Sequence, residues 1–186
     1  MVLLESASLE YGKSIQNYNL PDMVSGKNFS NQDLDKELVV IAFICNHCPY
    51  VVRIIKEFSA LALRRKDEVD FVAISANDPD YREEDSPENM KLFAEQNEFS
   101  FPYLFDEKQS VAKAFGAMCT PDIFVYKKGV ATSPSVSGND EYGLAYHARF
   151  EDLDKAISDL LIANKISFED LPSAGCSIKW IGRKVQ

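Results

Sequence analysis

Residues 38–44, Leu-Val-Val-Ile-Ala-Phe-Ile, form an unbroken apolar run that reads as a strand covered on both faces, as in a parallel sheet. From Pro49 the spacing changes. Val51, Ile54, Ile55, Phe58, Leu61 and Ala62 fall on one helical face before the polar stretch Arg64-Arg65-Lys66-Asp67. Residues 69–75 read as the next strand, and strand, helix, strand in that order implies a parallel pair with a right-handed crossover. Upstream, residues 18–29 pattern as a short hairpin punctuated by Asp22 and Gly26.

Downstream, a charged loop over 77–85 precedes Ser86-Pro87-Glu88-Asn89, a helix start with a capping serine, a first-turn proline and an acid at the positive end. That helix is predicted to reach about Gln96. Tyr103-Leu104-Phe105 is extended, a helix begins at Asp106 or Ser110 and stops at Gly116, and Ile123-Phe124-Val125-Tyr126 is a strand ended by Lys127-Lys128-Gly129. A polar loop over 131–140, a strand over 144–150 and an amphipathic helix over 152–163 complete the pattern. The tail, 166–186, is irregular, yet Cys176, Ile178, Trp180 and Ile181 make it too apolar to hang free, so it is expected to pack back.

The alternation predicts an α/β fold with helices on both faces of one sheet. A length of 186 residues without repeats or low-complexity tracts suits a single domain over 1–186. The net charge of −9 argues against nucleic acid or an anionic membrane as partner. No window is apolar enough to span a bilayer, and Met1-Val2-Leu3-Leu4-Glu5-Ser6 has no signal-peptide character. Four cysteines without an export signal are expected to stay mostly reduced, which makes the cytoplasm the default location.

Candidate chemistry lies where the first strand ends: Cys45-Asn46-His47-Cys48-Pro49. Two thiols two residues apart at a helix start can close a small disulfide ring, and free helix N–H groups with the positive dipole end favour a thiolate there. Zinc normally takes four ligands, and neither a second CxxC nor an H-x₃₋₅-H pair accompanies this one. Electrons that pass between sulfurs need no further carrier, so no metal or organic cofactor is expected.

Four motifs occur in one order: Cys45-Asn46-His47-Cys48-Pro49, Ser86-Pro87-Glu88-Asn89-Met90, Cys119-Thr120-Pro121-Asp122 and Gly175-Cys176-Ser177-Ile178-Lys179-Trp180. In these the chain resembles the thioredoxin superfamily, and within it the peroxiredoxin-like proteins of the alkyl hydroperoxide reductase/thiol-specific antioxidant group, over nearly its whole length. The resemblance implies a thioredoxin fold with a central mixed sheet, an N-terminal hairpin and a C-terminal extension, and implies thiol–disulfide oxidoreduction. It makes Cys45 an exposed nucleophile and Cys48 the resolving thiol. It makes Thr120-Pro121 a cis-proline platform for substrate, with His47 tuning the potential. Implied partners are protein or small-molecule disulfides and a thioredoxin- or glutathione-type reductant; the oligomeric state is left open.

Other features leave alternatives. Cys119 and Cys176 are each either a further thiol of the site or a packed cysteine. Thioredoxins proper place a buried acid six residues before the first cysteine, where this chain has Val39; Glu37 and Asp78 are candidate substitutes, while Glu83-Glu84-Asp85 reads as a solvated loop. The peroxiredoxin T-x-x-C spacing falls on Cys45-x-x-Cys48, which allows a peroxidase with Cys48 as attacking thiol and Arg149 as either its arginine or a solvated strand residue. A metal-binding module with His147 as distal ligand is the non-enzymatic alternative.

Overall fold

A computed structural model describes residues 3–130, 141–169 and 171–182. In chain order the strands and helices are β1 (Leu3–Glu5), β2 (Asn19–Pro21), β3 (Asn28–Ser30), β4 (Leu38–Phe43), α1 (Pro49–Arg65), β5 (Val69–Ser75), α2 (Pro87–Gln96), β6 (Tyr103–Phe105), α3 (Ser110–Phe115), β7 (Cys119–Thr120), β8 (Asp122–Lys128), β9 (Tyr142–Ala148), α4 (Leu153–Ala163) and β10 (Ala174–Ser177). Among the described residues, no helix is long and apolar enough to cross a membrane.

The central sheet runs β6-β5-β4-β8-β9. β4 and β5 are parallel, as are β5 and β6, whereas β8 is antiparallel to both β4 and β9. β4 is buried at every position because alternate side chains feed two separate cores. Leu38, Val40 and Ala42 join Phe58 and Leu61 of α1 and Ile157 and Leu160 of α4. Val39, Ile41 and Phe43 face the other way, toward Val111 and Phe115 of α3 and toward Phe124. Val39 thus lies wholly within an apolar layer, and the sheet interior has no acid at that point.

The hairpin β2–β3 forms as expected, with Gly26 taking the left-handed backbone its turn needs. Gly116 likewise ends α3 at φ +78. Both ends of one strand move: the strand expected over 144–150 is β9, Tyr142–Ala148, so Phe150 opens a 3-10 turn leading into α4. The loop expected over 131–140 lies outside the described residues.

The tail is more ordered than its composition suggests. β10 is the middle strand of a second, three-stranded antiparallel sheet, β1-β10-β7. Cys176 pairs with Leu3 on one side and Thr120 on the other, so chain segments far apart in sequence meet at one residue.

Candidate functional site

β4 delivers the chain to the site. Ile44 still bonds through its N–H to Ile74 O, Cys45 follows, and Asn46 and His47 make the turn into α1. Cys48 is the N-cap, in extended backbone with no side-chain capping bond, and Pro49 occupies the first turn, where its missing N–H costs nothing. A strand end and a helix start thus hold the two sulfurs on stiff backbone.

Opposite them stands the β7–β8 junction, where the Thr120–Pro121 peptide bond is cis. Cys45 Sγ lies 3.2 Å from Thr120 Oγ1, and Cys48 Sγ lies 3.1 Å from Thr120 O. Behind Cys48, on β10, is Cys176, whose sulfur is 3.0 Å from that of Cys48. All four cysteines are free of disulfide bonds, and all are buried. The expectation of an exposed Cys45 is therefore corrected: its relative exposure is 0%, with Thr120 Oγ1 against its sulfur.

Protons divide unequally between the pair. Cys45 is held well above the ordinary thiol range by its hydrogen bond to Cys48, by burial and by the nearby Asp85 carboxylate. Cys48 is brought down to about 4 by the hydrogen bond from Cys45, helped against burial by the Cys176 thiol. Within the pair, loss of a proton is thus disfavoured at Cys45 and favoured at Cys48. Cys176 is pushed up to about 12, by burial first and by its contact with Cys48 second. Cys119 is also raised by burial; its sulfur points to Pro121 O at 3.6 Å, as an inert packed cysteine does.

His47 is tied down through Nδ1, 2.6 Å from Asp85 Oδ2. Asp85 also accepts from the Asn46 N–H at 2.8 Å and from Asn77 Nδ2 at 2.9 Å, and is 0% exposed. Asn46 in turn donates to Glu84 O and accepts from Tyr103 Oη. The run Glu83-Glu84-Asp85 is thus only partly the solvated loop read from sequence: Glu83 and Glu84 are exposed, while Asp85 turns inward and organises the CxxC turn. The topology brings these two loops together without singling out which acid turns inward. β4 and β5 are parallel neighbours, so the loops leaving their C-terminal ends must pass each other.

Neither acid nominated from sequence faces the thiols. Glu37 pairs with Lys127 Nζ at 2.9 Å, and Asp78 Oδ1 accepts from the Asp80 N–H. His147 is buried with Nε2 2.8 Å from Asp122 Oδ1 and its ring stacked on Phe124, which engages it away from the cysteines. Arg149 is not a solvated strand residue. It is half-buried just past β9, lines a small groove with Tyr50, Pro121 and Phe150, and its Nε has no hydrogen bond among the described residues.

Cys45 Sγ, His47 Nδ1 and an Asp85 oxygen lie within 4.8 Å of one another and are the donor set a metal could address. Yet the His47–Asp85 separation of 2.6 Å is a hydrogen bond, shorter than the roughly 3.3 Å between two ligands of one tetrahedral ion. The arrangement suits proton and sulfur chemistry better than coordination.

A profile of the AhpC/TSA family matches residues 11–132. No curated protein sequence matches the chain. Among solved structures, an uncharacterized conserved protein from Geobacillus kaustophilus is 34% identical, with 99% of each chain covered and a TM-score of 0.88. A hypothetical protein from Sinorhizobium meliloti 1021 is 31% identical, covering 96% of this chain and 99% of its own, with a TM-score of 0.86. A putative thiol:disulfide interchange protein DsbE from Chlorobium tepidum, 18% identical over 83% of this chain and 99% of its own, shares the fold at a TM-score of 0.62.

Proposed function

Because the chain belongs to the AhpC/TSA family, with a thioredoxin fold and a thioredoxin-like redox function, we propose that it is a thiol–disulfide oxidoreductase whose redox couple is Cys45 and Cys48. The observation that carries this reading is the meeting of both sulfurs with the Thr120–cis-Pro121 junction, at 3.2 and 3.1 Å. Thr120-Pro121 is the platform on which a substrate disulfide lies, and Cys45, beside the Thr120 side chain, is the thiol that meets it. As Cys45 attacks, its proton passes to Cys48, the group already sharing it. One substrate sulfur leaves as a thiol by taking that proton from Cys48, the Cys48 thiolate then displaces the other as a thiolate from Cys45, and the enzyme is left with the Cys45–Cys48 bond. His47, anchored on Asp85, tunes the couple through the turn it belongs to.

Substrates on this reading are protein or small-molecule disulfides, a thioredoxin- or glutathione-type thiol reduces the Cys45–Cys48 bond back to the dithiol, and cysteine usage favours the cytoplasm. Equilibration in glutathione buffers, with the Cys45–Cys48 bond followed by mass spectrometry, is expected to give a reversible couple between about −270 and −120 mV. Cys45→Ser should abolish disulfide exchange, and Cys48→Ser should accumulate mixed disulfides with substrate. Absence of the Cys45–Cys48 bond at every poise would overturn the assignment.

One observation favours a second reading, a thiol peroxidase. Cys48 is the thiol of the pair whose ionisation is favoured and it follows the T-x-x-C spacing, so it is the thiol that would attack a peroxide directly. Peroxide consumption that survives Cys45→Ser selects this reading over the first.

A further inference from the structure

Cys176 has no part in the dithiol cycle just described, although its sulfur lies 3.0 Å from that of Cys48. That closeness is built by backbone. Cys176 sits opposite Thr120 in the β10–β7 register and opposite Leu3 in the β10–β1 register, so strands hold it on both sides. The neighbouring Gly175 sets the depth of approach. A Cβ at that position would stand 2.1 Å from Thr120 O and 2.7 Å from Thr120 C, so only a residue without a side chain lets β10 lie this close to the cis-proline junction. The thiol is buried, with 2% relative exposure, and its sulfur faces the sulfur that both readings of the site require.

We propose that Cys176 is a third redox thiol, and that Cys48 alternates between a disulfide with Cys45 and a disulfide with Cys176. The proposal rests on the Cys45–Cys48 couple and extends it. After a substrate disulfide has been reduced, the protein holds the Cys45–Cys48 bond. The Cys176 sulfur attacks Cys48, the Cys48–Cys176 bond forms as the Cys45–Cys48 bond breaks, and Cys45 leaves as a thiolate that takes the proton Cys176 gives up. No electron enters or leaves in this step: one disulfide and one thiol become another disulfide and another thiol. The exchange moves the oxidised bond inward to β10 and returns Cys45 to the thiol state. The step needs the sulfurs to close from 3.0 Å to bonding distance of about 2.05 Å, a shift within the reach of one side-chain rotation.

Peptide mapping of the full chain tests this directly, because trypsin places Cys45 and Cys48 in peptide 37–53, Cys119 in 114–127 and Cys176 in 166–179. The reduced protein is oxidised with glutathione disulfide, quenched in acid, alkylated under denaturing conditions and digested without reduction. We expect two products: peptide 37–53 closed on itself, and peptide 37–53 cross-linked to 166–179. In Cys45→Ser we expect two of the three remaining thiols to be lost on oxidation through the same cross-link, and in Cys176→Ala we expect only the closed peptide. A wild type that gives the closed peptide alone, with 166–179 fully alkylated, overturns the third thiol and leaves the Cys45–Cys48 couple standing. A Cys45→Ser protein that keeps all its thiols also overturns it. A wild type that forms neither bond overturns the couple and the relay together. The decisive wild-type digest needs no variant to fold.

Discussion

Asp85 is the side chain through which the CxxC turn is organised: it takes hydrogen bonds from the Asn46 N–H and from Asn77 Nδ2, and pairs with His47 Nδ1. Its charge also stands against ionisation of Cys45. Asp85→Asn keeps an acceptor for the Asn46 N–H and removes the charge. Cys45 should therefore alkylate with a midpoint at lower pH than in wild type, read as iodoacetamide labelling of its peptide across a pH series. An unchanged midpoint would reduce Asp85 to a structural tie. The cysteines and the Thr120–Pro121 junction were legible in the sequence because their chemistry is local: two thiols at a strand-to-helix switch, and a proline ahead of a strand. Asp85 was not, since nothing in Glu83-Glu84-Asp85 tells which acid turns inward. That depends on two loops meeting across parallel strands, 39 residues apart for the Asn46 contact.

Among the elements, β10 contributes most beyond its length. Four residues link β1 to β7, and Gly175 lets them lie against the cis-proline junction. Gly175→Ala puts a methyl where Thr120 O already is, and the obstacle is backbone that cannot rotate aside. The substitution is expected to cost about 1–3 kcal/mol, the usual price of overpacking, and more if β10 detaches. A lowered urea midpoint together with loss of the 37–53 to 166–179 cross-link is the predicted pair of results. An unaltered midpoint would mean that β10 is not held against Thr120 as described. The major strands and helices could be read from the apolar pattern, since β4 is an unbroken apolar run and α1 carries one apolar face of period 3.6. β10 could not, because Ala174-Gly175-Cys176-Ser177 has no apolar alternation and is a strand only through the partners on either side of it.

For the whole molecule, the thiol cluster makes stability depend on redox state and pH together. Cys48 titrates at about 4 in the folded chain against 9.0 for an ordinary thiol, so its stabilisation is complete above pH 9 and is lost as pH falls toward 4. Cys45 and Cys176 are raised, so in the folded state they keep protons that the unfolded chain releases, and stability is lost as pH rises past 9. The denaturation midpoint of the reduced protein, measured relative to the oxidised protein, should therefore peak near pH 9 and decline on both sides. A flat difference would show that the sulfurs do not share charge as argued. The long separation between Cys48 and Cys176, 128 residues, also has a meaning in time. At translation rates of about 5–20 residues per second, Cys176 is made roughly 6–25 s after Cys48. Until Cys119 is made the growing chain owns only the Cys45–Cys48 pairing, and until Cys176 is made the Cys48–Cys176 bond cannot form. The inner bond belongs to the finished protein and dates a molecule as having completed its fold.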